Sequence, residues 1–257
     1  MAEGPREAEA FLYSEIRSPR VRSPRSGVRA ILEFPMSSPR QELLRLLASK
    51  SFRLGEFKLS SGASSDYYVD CRTTTLSAKG SRLTGQVFLD EIRTRGWKAK
   101  AIGGLTMGAD PIVVAVVVTS GELQGFLVRK AEKQHGTGRR IEGFQEKGAR
   151  VVIVDDVCTT GASTIQAIEA AREFGFEVAG VMCLVERQEA GGRPNIEKAA
   201  APAQFVSVFT ANDVRKEHGA QNDETSPSMV AFGAGCEICG RQAVVHTPRV
   251  RCEQHKV

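Results

Sequence analysis

Apolar residues recur along this chain in short continuous runs, separated by stretches in which they return every three or four positions. KAKAIGG, PIVVAVVV, GFLVRK, ARVVIVDDV, TIQAIEAAREFG, EVAGVMCLVE and FVSVFT follow one another between residues 98 and 210. Apolar strand candidates separated by helical patterns predict an α/β fold, a mainly parallel sheet with flanking helices on both faces. Ligands of such sheets bind beyond the carboxyl ends of the strands, and that is where the residues with unusual chemistry fall. Upstream, SSPRQELLRLLASKSF predicts a helix: Ser37 or Ser38 as cap, a proline in the first turn, and Leu43, Leu44, Leu46 and Leu47 at helical spacing. No internal repeat interrupts this plan.

The ends of the chain read differently. IRSPRVRSPRSGVR is rich in Ser, Pro and Arg and has no apolar periodicity, so residues 1–36 are expected to be a disordered basic tail, with Met36 a candidate alternative start. Its acidic residues and poor amphipathicity argue against a targeting role. Residues 37–212 then form the main domain, the polar residues 213–232 a linker, and residues 233–257 a small cysteine-rich tail. A length of 257 residues suits one sizeable core with such appendages. With 41% hydrophobic and 25% charged residues and no apolar run near membrane-spanning length, a soluble globular protein is expected. The start MAEGPREAEAF lacks the features of a secretory signal, so a cytoplasmic location follows and the six cysteines are expected as thiols or metal ligands. The net charge of +5 is inflated by five arginines between Arg17 and Arg29; it suits anionic substrates and does not call for nucleic acid or a membrane.

The most informative stretch is VVIVDDVCTTGASTIQAIEAAREFG, a buried strand running into two aspartates, a small-residue turn and a helix. A helix N-terminus presents unpaired N–H groups and a positive dipole end, so a phosphate can sit there without a lysine. Thr159, Thr160, Gly161, Ala162, Ser163 and Thr164 are small enough to allow that approach. Asp155 and Asp156 make sense as acceptors for the two hydroxyls of a ribose whose 5′-phosphate lies in the turn. An ordinary strand-to-helix turn with a solvated acidic pair is the plainer alternative, but two carboxylates at a strand end repel unless something compensates them. The string resembles the phosphoribosyl pyrophosphate motif of type I phosphoribosyltransferases, which implies a parallel sheet with flanking helices and a smaller hood over the site.

Three further segments, GEFKLSSGASSDYYVDCR, IGGLTMGADPI and LVRKAEKQHGTGRRIEG, resemble those of the orotate phosphoribosyltransferases in the same order, and ERQEAGG resembles that family's DRQEGG-like element. The resemblance implies conversion of orotate and phosphoribosyl pyrophosphate to orotidine 5′-phosphate and pyrophosphate in pyrimidine biosynthesis. It places Arg187, Thr159 and Tyr68 at the base; an arginine fork suits a planar carboxylate, although Arg187 alone would read as a surface ion pair. It places the backbone around Gly103, Gly104 and Gly108 near the pyrophosphate. Arg129, Lys130, Lys133 and His135 become donor-binding residues, the last two on a lid that closes over the reacting atoms. Asp156, Lys133 and His135 are the catalytic candidates, with His135 also a candidate proton donor. Mg²⁺ is implied as cofactor, bridging pyrophosphate and ribose hydroxyls. No covalent nucleophile is needed, so Cys158 reads as packing. One branch of the family carries lysines at the positions of Ser60 and Met107, which this chain lacks. The family's shared lid implies a homodimer with Arg129 acting across the interface. The competing readings are transfer to another base and a regulator that senses phosphoribosyl pyrophosphate.

In the tail, CEICGRQAVVHTPRVRCEQH places Cys236, Cys239, Cys252 and His255 as two pairs joined by a short loop. That spacing closes a tetrahedral structural Zn²⁺ site, with AVVHTPRV as a small hairpin between the pairs. The alternatives are incidental thiols or a disulfide, the latter disfavoured by a reducing compartment.

Overall fold

The computed structural model describes residues 37–58, 64–130 and 140–225, together with the two-residue strands at 245–246 and 249–250. Ser38 caps helix α1 (Pro39–Leu46) by accepting from Gln41 N–H at 3.2 Å, and Pro39 occupies the first turn. A π-helical turn (Leu47–Ser51) leads into the hairpin β1 (Phe52–Lys58) and β2 (Ser64–Val69), paired antiparallel as a separate two-stranded sheet. This hairpin is the hood. The short helix α2 (Arg72–Thr75) and the long α3 (Ala78–Thr94) return the chain to the main sheet.

That sheet contains β3 (Ala101–Leu105), β4 (Gln124–Val128), β5 (Ile141–Gly143), β6 (Arg150–Cys158), β7 (Glu177–Glu186) and β8 (Gln204–Thr210), in the order β5-β4-β3-β6-β7-β8. All neighbours are parallel except β4 and β5. The remaining helices are α4 (Asp110–Ser120), α5 (Ala162–Phe174), α6 (Arg193–Ala200) and α7 (Ala211–Thr225). Alternation along the strands sorts the core into two layers. Ile102, Val152, Val154, Met182 and Leu184 pack with residues of α1, α3 and α4, whereas Ala101, Val151, Ile153, Val181 and Cys183 pack with α5 and α6. Strands buried on both faces explain the continuous apolar runs. From the β3/β6 boundary the chain winds outward in both directions, so the crevice of this fold lies between the ends of those two strands.

Two sequence readings require correction. PIVVAVVV, whose valines suit a strand, is helix α4: Pro111 is in its first turn, Gly121 closes it in the left-handed region at φ 69°, and 11 residues exceed the usual strand length. Residues from 213 onward do not begin a linker. Thr210 and Asp213 form a reciprocal cap, with Asp213 Oδ2 accepting from the Thr210 N–H and hydroxyl at 2.8 and 2.7 Å and Thr210 Oγ1 accepting from Asp213 N–H at 3.1 Å. Helix α7 then docks through fully buried Val214, while the His218 ring contacts Phe52 and its Nδ1 hydrogen-bonds with Ala48 C=O at 2.8 Å. The main domain therefore continues to about residue 225. In the tail, β9 (Val245–His246) and β10 (Arg249–Val250) pair antiparallel, the hairpin expected of AVVHTPRV. Residues 1–36 and the four proposed zinc ligands lie outside the described residues.

Candidate active site

A cavity of about 1100 Å³ opens where the carboxyl ends of β3, β6 and β7 face the hood. Its lining includes Tyr68, Arg129, Lys130, Asp155, Asp156, Thr159, Ser163 and Arg187, so eight of the sequence-selected residues meet in one place. Thr160, Gly161 and Ala162 lie on the same turn between Thr159 and Ser163. Lys133, His135 and Ser60 lie outside the described residues.

The phosphate turn is built by glycine. Gly161 sits at φ 83°, and the first hydrogen bond of α5 runs from Ile165 N–H to Gly161 C=O at 2.8 Å, leaving the N–H groups ahead of it for an anion. A second glycine supports the turn from outside: a Cβ on Gly192 would stand 2.2 Å from the Thr159 carbonyl oxygen. Glu186 is 2% exposed and ion-paired with Arg193, with Ser207 Oγ also donating to it at 2.8 Å. This pins both ends of the segment carrying Arg187, whose N–H donates to Cys158 C=O at 2.8 Å. ERQEAGG and the phosphate turn are thus one packed unit.

The two aspartates are not equivalent. Asp155 is 5% exposed, its Oδ1 accepts from Asp156 N–H at 3.0 Å and its Oδ2 from the Thr164 hydroxyl at 2.7 Å. Burial, reinforced by the neighbouring Asp156 charge, pushes its pKa up to about 7. Asp156 is raised too, chiefly by burial, and its Oδ1 accepts from Val157 N–H at 2.9 Å. Both carboxylates line the cavity, Asp155 the more deeply buried of the two. Gly108 abuts the Asp156 carboxylate, since a Cβ there would lie 2.3 Å from its Oδ1. Gly103 and Gly104 lie inside β3, where a Cβ would strike the Phe126 ring or the Val154 carbonyl, so their role is packing and the turn is Thr106–Gly108.

Arg187 is 7% exposed and held from behind. Its Nε donates to the Tyr67 hydroxyl at 3.0 Å and Glu189 Oε1 at 3.1 Å, its Nη2 to Ser65 Oγ at 3.0 Å, and its guanidinium lies 4.4 Å from the Tyr67 ring centre. Burial and a hydrogen bond to Glu189 raise the Tyr67 hydroxyl to about 12, so it stays a donor. Nη1 makes no hydrogen bond among the described residues, which leaves one edge for a planar anion rather than the whole fork. Tyr68 packs against Phe57 with ring centres 5.5 Å apart and planes tilted by 33°, forming an aromatic wall. Arg129 lines this subunit's own cavity and pairs with Glu142 at 3.4 Å. Sequence reasoning missed Tyr67, Ser65 and Glu189 behind Arg187, and Arg53, Lys58 and Arg72 in the lining. Tyr67 adjoins the selected Tyr68, and strand alternation was the signal that it faces the other way.

A family model for the phosphoribosyl transferase domain matches residues 90–208. Orotate phosphoribosyltransferase from Aquifex aeolicus is 42% identical over 182 residues, covering 68% of this chain and 97% of that protein. The chain belongs to the orotate phosphoribosyltransferase family. Orotate phosphoribosyltransferase of Mycobacterium tuberculosis, solved in complex with 5-phospho-α-D-ribosyl 1-diphosphate, superposes with a TM-score of 0.59 at 35% identity, covering 69% of this chain and 99% of that one. The same enzyme with Fe(III) dicitrate gives 0.61 at 38% identity. This family frame accounts for the cavity's two halves: a phosphate turn with paired carboxylates, and a buried arginine beside an aromatic wall.

Proposed function

We propose that this chain transfers the 5-phosphoribosyl group of phosphoribosyl pyrophosphate to orotate, giving orotidine 5′-phosphate and pyrophosphate in pyrimidine biosynthesis. The observation that carries the reading is the meeting of Asp156, the turn at Thr159–Ser163 and Arg187 in one cavity. In this reading the 5′-phosphate sits on the N–H groups ahead of α5. Asp156 accepts from the ribose hydroxyls, and its negative charge favours the positive charge that develops at the anomeric carbon. The bond from that carbon to the diphosphate oxygen breaks, the orotate ring nitrogen loses its proton, and the new carbon–nitrogen bond forms. Arg187 Nη1 anchors the orotate carboxylate, Tyr68 flanks the ring and Thr159 borders it. Arg129, Lys130, Lys133 and His135 meet the diphosphate, with His135 a proton donor to the leaving group.

The donor set suits a hard cation delivered with substrate. Asp155 and Asp156 supply carboxylate oxygens, and among the described residues no group of three or more His, Cys, Asp or Glu side chains would hold a metal on its own. Magnesium bound with the donor would neutralise charge on the leaving diphosphate. We assign the chain to the cytoplasm; no helix among the described residues is long and apolar enough to cross a membrane. We also propose a homodimer that shares its lid. In that arrangement the lid and Arg129 serve the neighbouring subunit's site.

The test is pyrophosphate release by the purified chain with magnesium and phosphoribosyl pyrophosphate. Release should require orotate; none with orotate present would overturn the assignment. For the dimer, activity followed with mass through a dilution series should fall as monomer appears, and full activity in monomer would refute a shared site.

A further inference from the structure

Arg72 enters the same cavity from the start of α2, directly after the hood. Asp70 grips it three ways: Oδ1 accepts from Arg72 Nε at 2.9 Å and from its N–H at 3.1 Å, and Oδ2 accepts from Nη2 at 3.0 Å. Nη1 makes no hydrogen bond among the described residues, so a planar cation is held by one edge and open on the other. Its charge acts on Asp156, the carboxylate that Gly108 abuts. Arg72 shares the cavity lining with the turn Thr106–Gly108, whose side chains carry no charge, and with Arg187 beyond β7. We propose that Arg72 binds the diphosphate end of the phosphoribosyl donor and that Asp70 is its positioning residue.

This inference rests on the function proposed above, and it refines which residues hold the donor. Of the cations selected from sequence, Arg129 and Lys130 line the cavity directly after β4. Arg72 adds a fixed positive charge from the segment that follows the hood. An arginine held in advance loses little freedom when the anion arrives, which favours it over a mobile lysine at this point. A surface ion pair is the ordinary reading of Asp70 and Arg72, but their placement in the cavity lining and the open Nη1 edge argue for a ligand.

The experiment uses the full chain in magnesium buffer, with Arg72→Gln, Arg72→Lys, Asp70→Asn and the double variant Asp70→Asn with Arg72→Gln. Calorimetry with phosphoribosyl pyrophosphate and with inorganic pyrophosphate, in the absence of orotate, reads the donor site whichever base is used. Arg72→Gln should weaken both by about ten- to a hundredfold, the loss of one charge-assisted contact, with the orotate Michaelis constant changed less than about twofold. Arg72→Lys should recover part of that loss. The double variant should bind no more weakly than Arg72→Gln alone. Unchanged donor affinity, a rise confined to orotate, no recovery with lysine, or loss of folding in Arg72→Gln would each overturn the role of Arg72, and an additive loss in the double variant would remove Asp70 as its positioning residue.

Discussion

Asp155→Asn isolates the electrostatics of the acidic pair. In the fold Asp155 is deeply buried beside a second carboxylate, and its pKa is raised from 3.8 to about 7. A raised carboxyl pKa means the folded state holds a proton that the unfolded chain has already released. Its contribution to stability is therefore fully present below pH of about 4 and is lost as pH rises through about 7. A shift of that size corresponds to about 4 kcal/mol, an upper figure because the unfolded chain retains some structure. Asparagine keeps the geometry: its amide oxygen can accept from Asp156 N–H and its NH₂ can donate to the Thr164 hydroxyl, with no charge to bury. Denaturant unfolding of the substrate-free protein at pH 5, 6, 7 and 8 should show the wild type losing stability with rising pH and Asp155→Asn losing less. The variant should overtake the wild type by a few kcal/mol at pH 8. Parallel pH profiles for the two proteins would refute the reasoning, because they would mean Asp155 is equally charged in both states.

Arg187→Ala should mainly raise the orotate Michaelis constant, by an amount equivalent to about 2 to 4 kcal/mol, with the donor constant little changed; an unaltered orotate constant in steady-state assays would move the carboxylate elsewhere. Gly192→Ala forces a Cβ to within 2.2 Å of the Thr159 carbonyl, so thermal stability should fall by about 1 to 3 kcal/mol and donor affinity should drop with it, and a variant unchanged in both would separate this segment from the phosphate turn. Metal analysis of protein purified without a histidine tag should find zinc at one per chain, lost in Cys236→Ser with Cys239→Ser while orotate turnover persists; zinc-free wild type prepared without chelator would sink the proposed tail site.

The sheet was legible because its strands are buried on both faces: VVIVDDV and EVAGVMCLVE have no polar alternation to confuse them with an exposed strand. The phosphate turn was legible for a different reason, that the chemistry itself demands small residues at a helix start. PIVVAVVV misled because β-branched residues describe a buried environment as well as a strand, and the proline and glycine at its ends were the better evidence. Helix α7 was obscured by its polarity; so few of its residues reach the core that only the reciprocal Thr210 and Asp213 cap marked its start. Within the site, sequence named residues that face the cavity and missed those behind them. Tyr67, Ser65 and Glu189 act through Arg187, and their convergence depends on how β2 meets the end of β7, a long-range contact that local patterning does not encode. The inequality of Asp155 and Asp156 is likewise a matter of burial and of Thr164 nine residues on.

The central claim is phosphoribosyl transfer to a carboxylated pyrimidine at this cavity, and a base panel tests it most directly. Initial rates of pyrophosphate release with phosphoribosyl pyrophosphate and magnesium should be measured for orotate, uracil, adenine and xanthine, using wild type and soluble, folded Asp156→Asn. The account predicts turnover with orotate alone, and a loss of at least about a hundredfold in Asp156→Asn, as for a group that stabilises developing charge. Turnover with another base and none with orotate, or wild-type rates in Asp156→Asn, would contradict it.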